Sequence, residues 1–389
     1  MRSKVRSSFT TLEREALICG RCGYCRNSCP VYQVIGWESA TPRGKIGLAK
    51  EVIRNEKKRA MPDEFVQRMA QCTLCGSCAT ICPTAIDTRK LWLEMRKHIA
   101  QKGKAPKAYK DLYQNLLANK NISGFNNKDR LEWSQDLDTE PEGLSPKPGA
   151  EIGYFVGCVS SFYPQAAQIP LAMTEVLMRS GIDFTTLGGE EWCCGFPLLS
   201  MGFVDDAKDF IRHNITQLKK LNIHTLLSGC PTCYHIWKFD SLEELGNYPL
   251  EVLHSTEFLE RMIKKGMIQL RATDGVVTYH DPCDLGRNGG VYENPREIIK
   301  SIPGLKFVEL EHRRENALCC GGGGNLQSVD PQRAAAIAQR RIEEIQETGA
   351  TIVVSSCQQC EQMLSAGILD RNLKVRVMDI SQLILEAMN

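Results

Sequence analysis

From residue 151 onward, short apolar runs alternate with amphipathic stretches. Ile152 to Val156 is the first run. An apolar run this short, bounded by polar residues, predicts a buried strand. Pro170 to Arg179 predicts a helix, and Phe184 to Leu187 a second strand. Between Asp205 and Leu221, the residues Ala207, Phe210, Ile211, Ile215, Leu218 and Leu221 recur at helical spacing on one face. Thr225 to Ser228 and Leu250 to Leu253 predict two more strands, with Ser255 placed to cap the next helix. The same succession then returns. Val276 to Tyr279, Lys306 to Leu310, Thr351 to Val354 and Val375 to Met378 predict strands. Pro331, behind Asp330, opens a helix that Gly349 closes, and Ser381 caps the last one. Strands alternating with helices predict parallel α/β layers.

The pattern ahead of residue 151 differs. Residues 101–150 are polar and contain Pro141-Glu142-Gly143 and Ser145-Pro146-Lys147-Pro148-Gly149. They read as a linker with a helix around Tyr109 to Ala118. Apolar residues make up 42% of the 389, enough for ordinary cores. The formal net charge of +2 gives no broad basic face, which argues against nucleic acid as a partner. The basic bias from Arg96 to Lys110 reads as a solvated face. Met1 to Ile18 carries charges throughout and has no apolar core, so it does not read as a secretory leader. No apolar run is long enough to span a bilayer. A cytoplasmic location is therefore expected, and in a reducing compartment the 18 cysteines read as metal ligands rather than disulfides.

Their spacing says which metal. Cys19, Cys22, Cys25 and Cys29, the last before Pro30, form the bacterial ferredoxin run. Cys72, Cys75, Cys78 and Cys82, before Pro83, repeat it. In a two-cluster ferredoxin the fourth cysteine ligates the other cluster. The expected sets are therefore Cys19, Cys22, Cys25 and Cys82 for one cubane, and Cys72, Cys75, Cys78 and Cys29 for the other. Zinc also takes Cys-x-x-Cys pairs, but it does not require three evenly spaced cysteines and a fourth before proline, twice.

The other ten cysteines form a duplicated set. Cys158, Cys193-Cys194-Gly195 and Cys230-x-x-Cys233 are followed by Cys283, Cys319-Cys320-Gly321 and Cys357-x-x-Cys360. Each member of the second set stands about 126 residues after its counterpart. Five cysteines are one more than a tetrahedral metal or a cubane needs. The side chains of adjacent cysteines diverge, which suits a larger, less regular cluster with a bridging thiolate. The glycine after each pair, extended in the second set by Gly321 to Gly324, is expected to let the backbone approach an inorganic core. A phosphate loop is the rival for those glycines, but the Lys-Ser/Thr of a P-loop is missing. In each half the cysteines fall just after predicted strand ends, where open α/β sheets bind ligands.

Two ferredoxin runs followed by two complete Cys…Cys-Cys-Gly…Cys-x-x-Cys patterns resemble the catalytic iron–sulfur subunit of membrane-bound heterodisulfide reductase. The resemblance covers essentially the whole chain. It implies an α+β architecture overall: a mostly helical two-[4Fe–4S] ferredoxin-like domain over 1–100, the linker 101–150, and two pseudo-symmetric α/β Cys-Cys-Gly lobes over 151–270 and 271–389. It implies two cubane [4Fe–4S] clusters and two noncubane [4Fe–4S] clusters. The ten lobe cysteines become the catalytic ones, and the substrate is the mixed disulfide of coenzyme M and coenzyme B. It also implies a cytochrome b-type membrane subunit, or another redox subunit, as partner, and a place on the cytoplasmic face of the membrane. Similar chains serve as electron-transfer subunits of quinone-linked 2-hydroxyacid or glycerol-3-phosphate dehydrogenases and of sulfite-reduction complexes. Those relatives often lose cysteines from one domain, whereas both sets here are whole.

Two departures from the family pattern bear on the substrate. Asp284 stands where a histidine is common, and Cys357-Gln358-Gln359-Cys360 lacks the proline of Cys230-Pro231-Thr232-Cys233. Among other residues, His280 is a candidate proton donor or a structural partner. His213 and His235 read as packing residues. Arg287, Arg313 and Arg314 are candidates for pairing with anionic coenzyme groups, or simply solvated. Arg43, Lys45 and Lys50 read as surface or interface residues. No Rossmann fingerprint is present, which argues against flavin or nicotinamide binding.

Overall fold

The computed structural model describes residues 14–55 and 60–388. The stretch Met1 to Ile18, read for a leader, lies mostly outside them. Two four-stranded, all-parallel sheets organise the chain from residue 152 on. The first contains β1 (Ile152–Phe155), β2 (Phe184–Thr185), β3 (Thr225–Ser228) and β4 (Glu251–His254). The second contains β5 (Gly275–Tyr279), β6 (Leu305–Phe307), β7 (Ile352–Ser355) and β8 (Arg376–Asp379). Their orders are β2-β1-β3-β4 and β6-β5-β7-β8, so the cysteine repeat is also a repeat of topology. In each sheet the connections leave the two central strands in opposite directions, which opens a crevice at their carboxyl ends.

The strands carry apolar side chains on both faces because helices cover both. The two sheets share one core. Tyr154, Val176 and Leu259 of the first half pack with Val277, Ile298, Val354 and Leu383 of the second. Helix Gln168–Arg179 lies against helix Ile380–Met388, and the Ser381 hydroxyl donates to the Ile169 carbonyl at 3.4 Å. On the outer faces, helix Val204–Lys220 covers the first sheet and helix Pro331–Glu347 the second.

Several local readings shift by a residue. The fourth strands end later than expected, so His254 and not Ser255 caps the following helix. Its Nδ1 accepts from the Thr256 amide at 3.2 Å, while Glu257 accepts from the His254 amide at 3.0 Å. Asp379 does the same work in place of Ser381, accepting from the Ser381 amide at 2.8 Å. Asp330 caps its helix as expected, accepting from the Arg333 amide at 3.0 Å.

The N-terminal part is all helix, with Pro42–Asn55, Asp63–Ala70 and Thr88–Gln101 packed around Phe65, Met69, Trp92 and Met95. The polar stretch 101–150 is not a loose tether. Tyr109, Leu116, Trp133 and Leu144 are buried in the two cores of the first half. Its basic neighbourhood is not wholly solvated either. Arg96 is buried at 2% exposure and donates to the carbonyls of Met69, Cys72, Ser200 and Gly324. One guanidinium thus ties the helical domain to both halves of the α/β region.

Candidate iron–sulfur sites

The cysteines gather into four groups, and none of the 18 is in a disulfide. Cys19, Cys22, Cys25 and Cys82 line one small cavity, as does Cys78. Cys29, Cys72, Cys75 and Cys78 line a second. The exchange of the fourth cysteine follows from chain direction. Cys29 opens helix Pro30–Ile35, which leads away from its own loop, and its thiol faces the other loop. The first group is the outer one: Cys22 is exposed, whereas Cys29, Cys72 and Cys75 are buried.

Lys45, read as a surface residue, is buried at 1% exposure beside the second group. Burial pulls its pKa down, but the thiolates of Cys72, Cys29 and Cys78 outweigh this and hold it above its usual range. Its ammonium also sits 5.1 Å from the Trp92 ring centroid. Arg43 is half-exposed and paired with Glu38 at 2.5 Å.

In the first lobe Cys158 follows β1, Cys193 and Cys194 follow β2, and Cys230 and Cys233 follow β3. They form a continuous chain of thiol contacts from Cys158 through Cys193, Cys194 and Cys233 to Cys230. In the second lobe the chain runs Cys319, Cys320, Cys360, Cys357, with Cys320 and Cys360 sulfurs 3.1 Å apart. Cys283 lies alongside. The place that Cys158 takes at Cys193 is taken at Cys319 by Cys75 of the ferredoxin-like domain. The inner four-cysteine group therefore touches the second lobe's set directly.

Both glycines after the cysteine pairs are left-handed, Gly195 at φ 91° and Gly321 at φ 88°. Protein backbone also lies close against both. A Cβ on Gly321 would stand 2.2 Å from the Ala334 carbonyl oxygen of the next helix. Gly323 and Gly324 likewise make room for protein: a Cβ would stand 2.6 Å from the Thr73 oxygen and 2.4 Å from the Cys72 oxygen. The glycine run seats the ferredoxin-like loop on the second lobe.

A cavity of about 230 Å³ lies between the lobes. All five cysteines of the first set line it, as do Cys283, Cys320, Cys357 and Cys360 of the second. Val159, Tyr163, Phe196 and Pro197 give it apolar walls. Asp284 lines it too, held below the usual carboxylate range: burial raises it, but Arg89, His235, Asn288 and Thr232 outweigh that. Thr232 donates to it at 2.8 Å. Gln358 and Ser160 reach the cavity with buried, unpartnered oxygens.

Two residues that the sequence does not single out complete the first site. Arg130, from the cysteine-free stretch, is fully buried and lies 3.6 Å from the Cys158 sulfur. Glu191 receives it at 2.8 Å and also accepts from the Val156 and Gly157 amides. Glu191 stands two residues before Cys193, a proximity that was visible; nothing in the composition around Arg130 marked it.

The candidate histidine and arginines are otherwise engaged. His280 is buried, and its Nδ1 accepts from Arg341 at 2.9 Å, which leaves its proton on Nε2. Burial and then Arg341 lower its pKa to about 3, so it is a neutral imidazole and not an ionised acid. It lies within 4.8 Å of the Cys320 and Cys360 sulfurs. Arg287 donates to the carbonyls of Glu315, Cys75 and Ala317, Arg313 to Leu310, and Arg314 pairs with Glu293. None of the three lines the cavity. His213 stacks on Trp192 and His235 binds Asp240, as packing residues do.

The thiols fit iron–sulfur clusters on their own chemistry. Burial and mutual repulsion push Cys29 to about 11, and a contact with Cys320 with burial pushes Cys319 to about 12. Thiolates stacked this densely need a bound cationic core to stay ionised. No helix among the described residues is long and apolar enough to cross a membrane.

Comparison with known proteins agrees. Residues 15–86 match the 4Fe-4S dicluster domain, and residues 152–237 and 277–365 each match the cysteine-rich domain CCG. The chain is 36% identical to the D-type subunit of the dihydromethanophenazine:CoB–CoM heterodisulfide reductase of Methanosarcina acetivorans, over 95% of this chain and 93% of that one. Its counterpart in Methanosarcina mazei is 35% identical over the same shares, 95% and 93%. A crystal structure of a hypothetical protein from Helicobacter pylori superposes with a TM-score of 0.61 at 13% identity, covering 90% of this chain and 68% of that one, and so shares the fold. With a dicluster domain ahead of two cysteine-rich domains, and this identity along almost its whole length, the chain belongs to the iron–sulfur family formed by the D-type subunits of heterodisulfide reductase.

Proposed function

We propose that the chain reduces, or in reverse forms, the coenzyme M–coenzyme B heterodisulfide in the cavity between its lobes. The observation that carries this is the shared cavity, since nine cysteines from two separate sets open onto one space. Cys158, Cys193, Cys194, Cys230 and Cys233 would hold one noncubane [4Fe–4S] cluster, and Cys283, Cys319, Cys320, Cys357 and Cys360 the other. Cys19, Cys22, Cys25 and Cys82, with Cys72, Cys75, Cys78 and Cys29, would hold the two cubanes. When bound, such clusters supply electrons singly, whereas a disulfide takes two.

The protein's own part is arrangement. The two lobes present equivalent faces to opposite ends of one S–S bond. Val159, Tyr163 and Phe196 line the space with apolar surface. The Cys75–Cys319 contact gives the second lobe the shorter path from the ferredoxin-like domain. Exposed Cys22 marks the outer group as the entry for a redox partner, a cytochrome b-type membrane subunit or another carrier. Docking on such a subunit would set the chain against the cytoplasmic face of the membrane.

The test is anaerobic turnover. Protein reduced with a viologen dye should oxidise it when the heterodisulfide is added, and Cys193→Ala or Cys320→Ala should abolish this. No dye oxidation by cluster-replete protein would leave the chain an electron-transfer subunit for a partner's chemistry.

A further inference from the structure

The buried lysine of the ferredoxin-like domain separates its two four-cysteine groups electrostatically. Lys45 is 1% exposed and lines the same small cavity as Cys29, Cys72, Cys75 and Cys78. No carboxylate pairs with it among the described residues. An ammonium this deeply buried is costly unless something negative compensates it. Here only the sulfurs and the face of Trp92 do so.

Of the other cations near the inner group, Arg89 has a counter-charge, Asp284 at 3.6 Å, whereas Arg96 and Arg287 donate to neutral carbonyls and add their charge to that of Lys45. At the outer group two cations line the cavity: Arg43 is 29% exposed and neutralised by Glu38, Arg21 is exposed to solvent, and Cys22 meets solvent too. Charge there is screened, whereas around Lys45 it is not.

We propose that Lys45 holds the inner group, Cys29, Cys72, Cys75 and Cys78, at a higher reduction potential than the outer group. A fixed positive charge beside a cluster favours the reduced form, which carries one more negative charge. An electron arriving at the exposed outer group then runs downhill to the inner one, whose Cys75 touches Cys319. Lys45 is on this view a positioning residue for charge, acting through the cysteines and touching no substrate. The inference rests on the assignment of cubane clusters to these two groups, but not on the identity of the disulfide.

The test is an EPR-monitored redox titration of the full chain without any disulfide. Two cubane signals with different midpoints are expected. Cys78→Ser should alter or remove the higher one, and Cys22→Ser the lower one. Lys45→Gln should lower the higher midpoint by at least about 59 mV, a tenfold change in the one-electron equilibrium, and leave the other in place. Lys45→Arg should restore most of it. The proposal is overturned if the higher midpoint follows Cys22, an outcome that needs no Lys45 variant to fold. It is also overturned if the Lys45→Gln midpoints match those of the wild type. Absence of two cubane signals would overturn the cluster assignment beneath it, whereas failed turnover with normal signals would leave it standing.

Discussion

At the residue scale, burial turns ordinary side chains into fixed parts of the sites. Arg130 and Glu191 have almost no exposed surface; Arg130 is the only cation within 4.0 Å of Glu191 among the described residues, and Glu191 the only carboxylate within 4.0 Å of Arg130. Removing one strands the other in low dielectric, which costs on the order of 3–5 kcal/mol. Arg130→Met should lower the thermal midpoint clearly, and a differential scanning experiment on the anaerobic protein checks it. Glu191→Gln, which keeps an oxygen for the Val156 and Gly157 amides, still leaves Arg130 without a carboxylate partner. His254 gives a pH dependence. Burial lowers its pKa from 6.5 to about 3, so it is neutral in the folded chain and takes a proton on unfolding in acid. The stability it contributes is whole above pH 6.5 and drains away as pH falls toward 3. Denaturant midpoints measured at pH 7 and pH 5 should therefore fall more in the wild type than in His254→Phe.

At the scale of elements, the strand ends and the glycine run do most of the placing. Predicted strands matched observed ones within a residue or two, because short apolar runs buried on both faces leave little choice; the exception is β6, which is only partly buried and ends at Phe307, three residues short of the expected Leu310. Cap residues were less legible: a one-residue extension of β4 and β8 moved the role from serine to His254 and Asp379. The glycines were legible as a need for space, and the contact that Gly323 and Gly324 make with the ferredoxin-like loop was not. Gly324 shows this, since its φ of 61° and the Cys72 oxygen 2.4 Å from a built Cβ both exclude a side chain. Gly324→Ala should loosen the ferredoxin-like loop from the second lobe, at a cost of about 1–3 kcal/mol. Stopped-flow reduction should show slower electron transfer out of the iron–sulfur signals of the ferredoxin-like domain. Gly266→Ala, whose Cβ meets nothing within 4 Å, is the control.

At the scale of the molecule, the two regions have different sources of stability. The α/β region has two sheets and three apolar cores. The ferredoxin-like region has short helices and one small core whose members include Cys72. Small domains lean on metals for what a core cannot supply. Stripping iron with an anaerobic chelator should therefore expose residues 60–100 first. Hydrogen exchange should show their amides losing protection while β1, β3, β5 and β7 keep theirs. Equal loss in both regions would mean that the lobes depend on their metal as heavily.

Fold class, the duplication and the grouping of cysteines were already determined by the linear sequence. Hydrophobic period and ligand spacing are local quantities, readable wherever strands are short and chelating loops are compact. The chain's tertiary structure alone decided that both five-cysteine sets open on one cavity and that Cys75 meets Cys319. It also decided that Lys45, Arg96 and Arg130 lie inside. Those relations join residues far apart in the chain. A charged side chain reads as solvent-exposed until the fold shows what has closed over it.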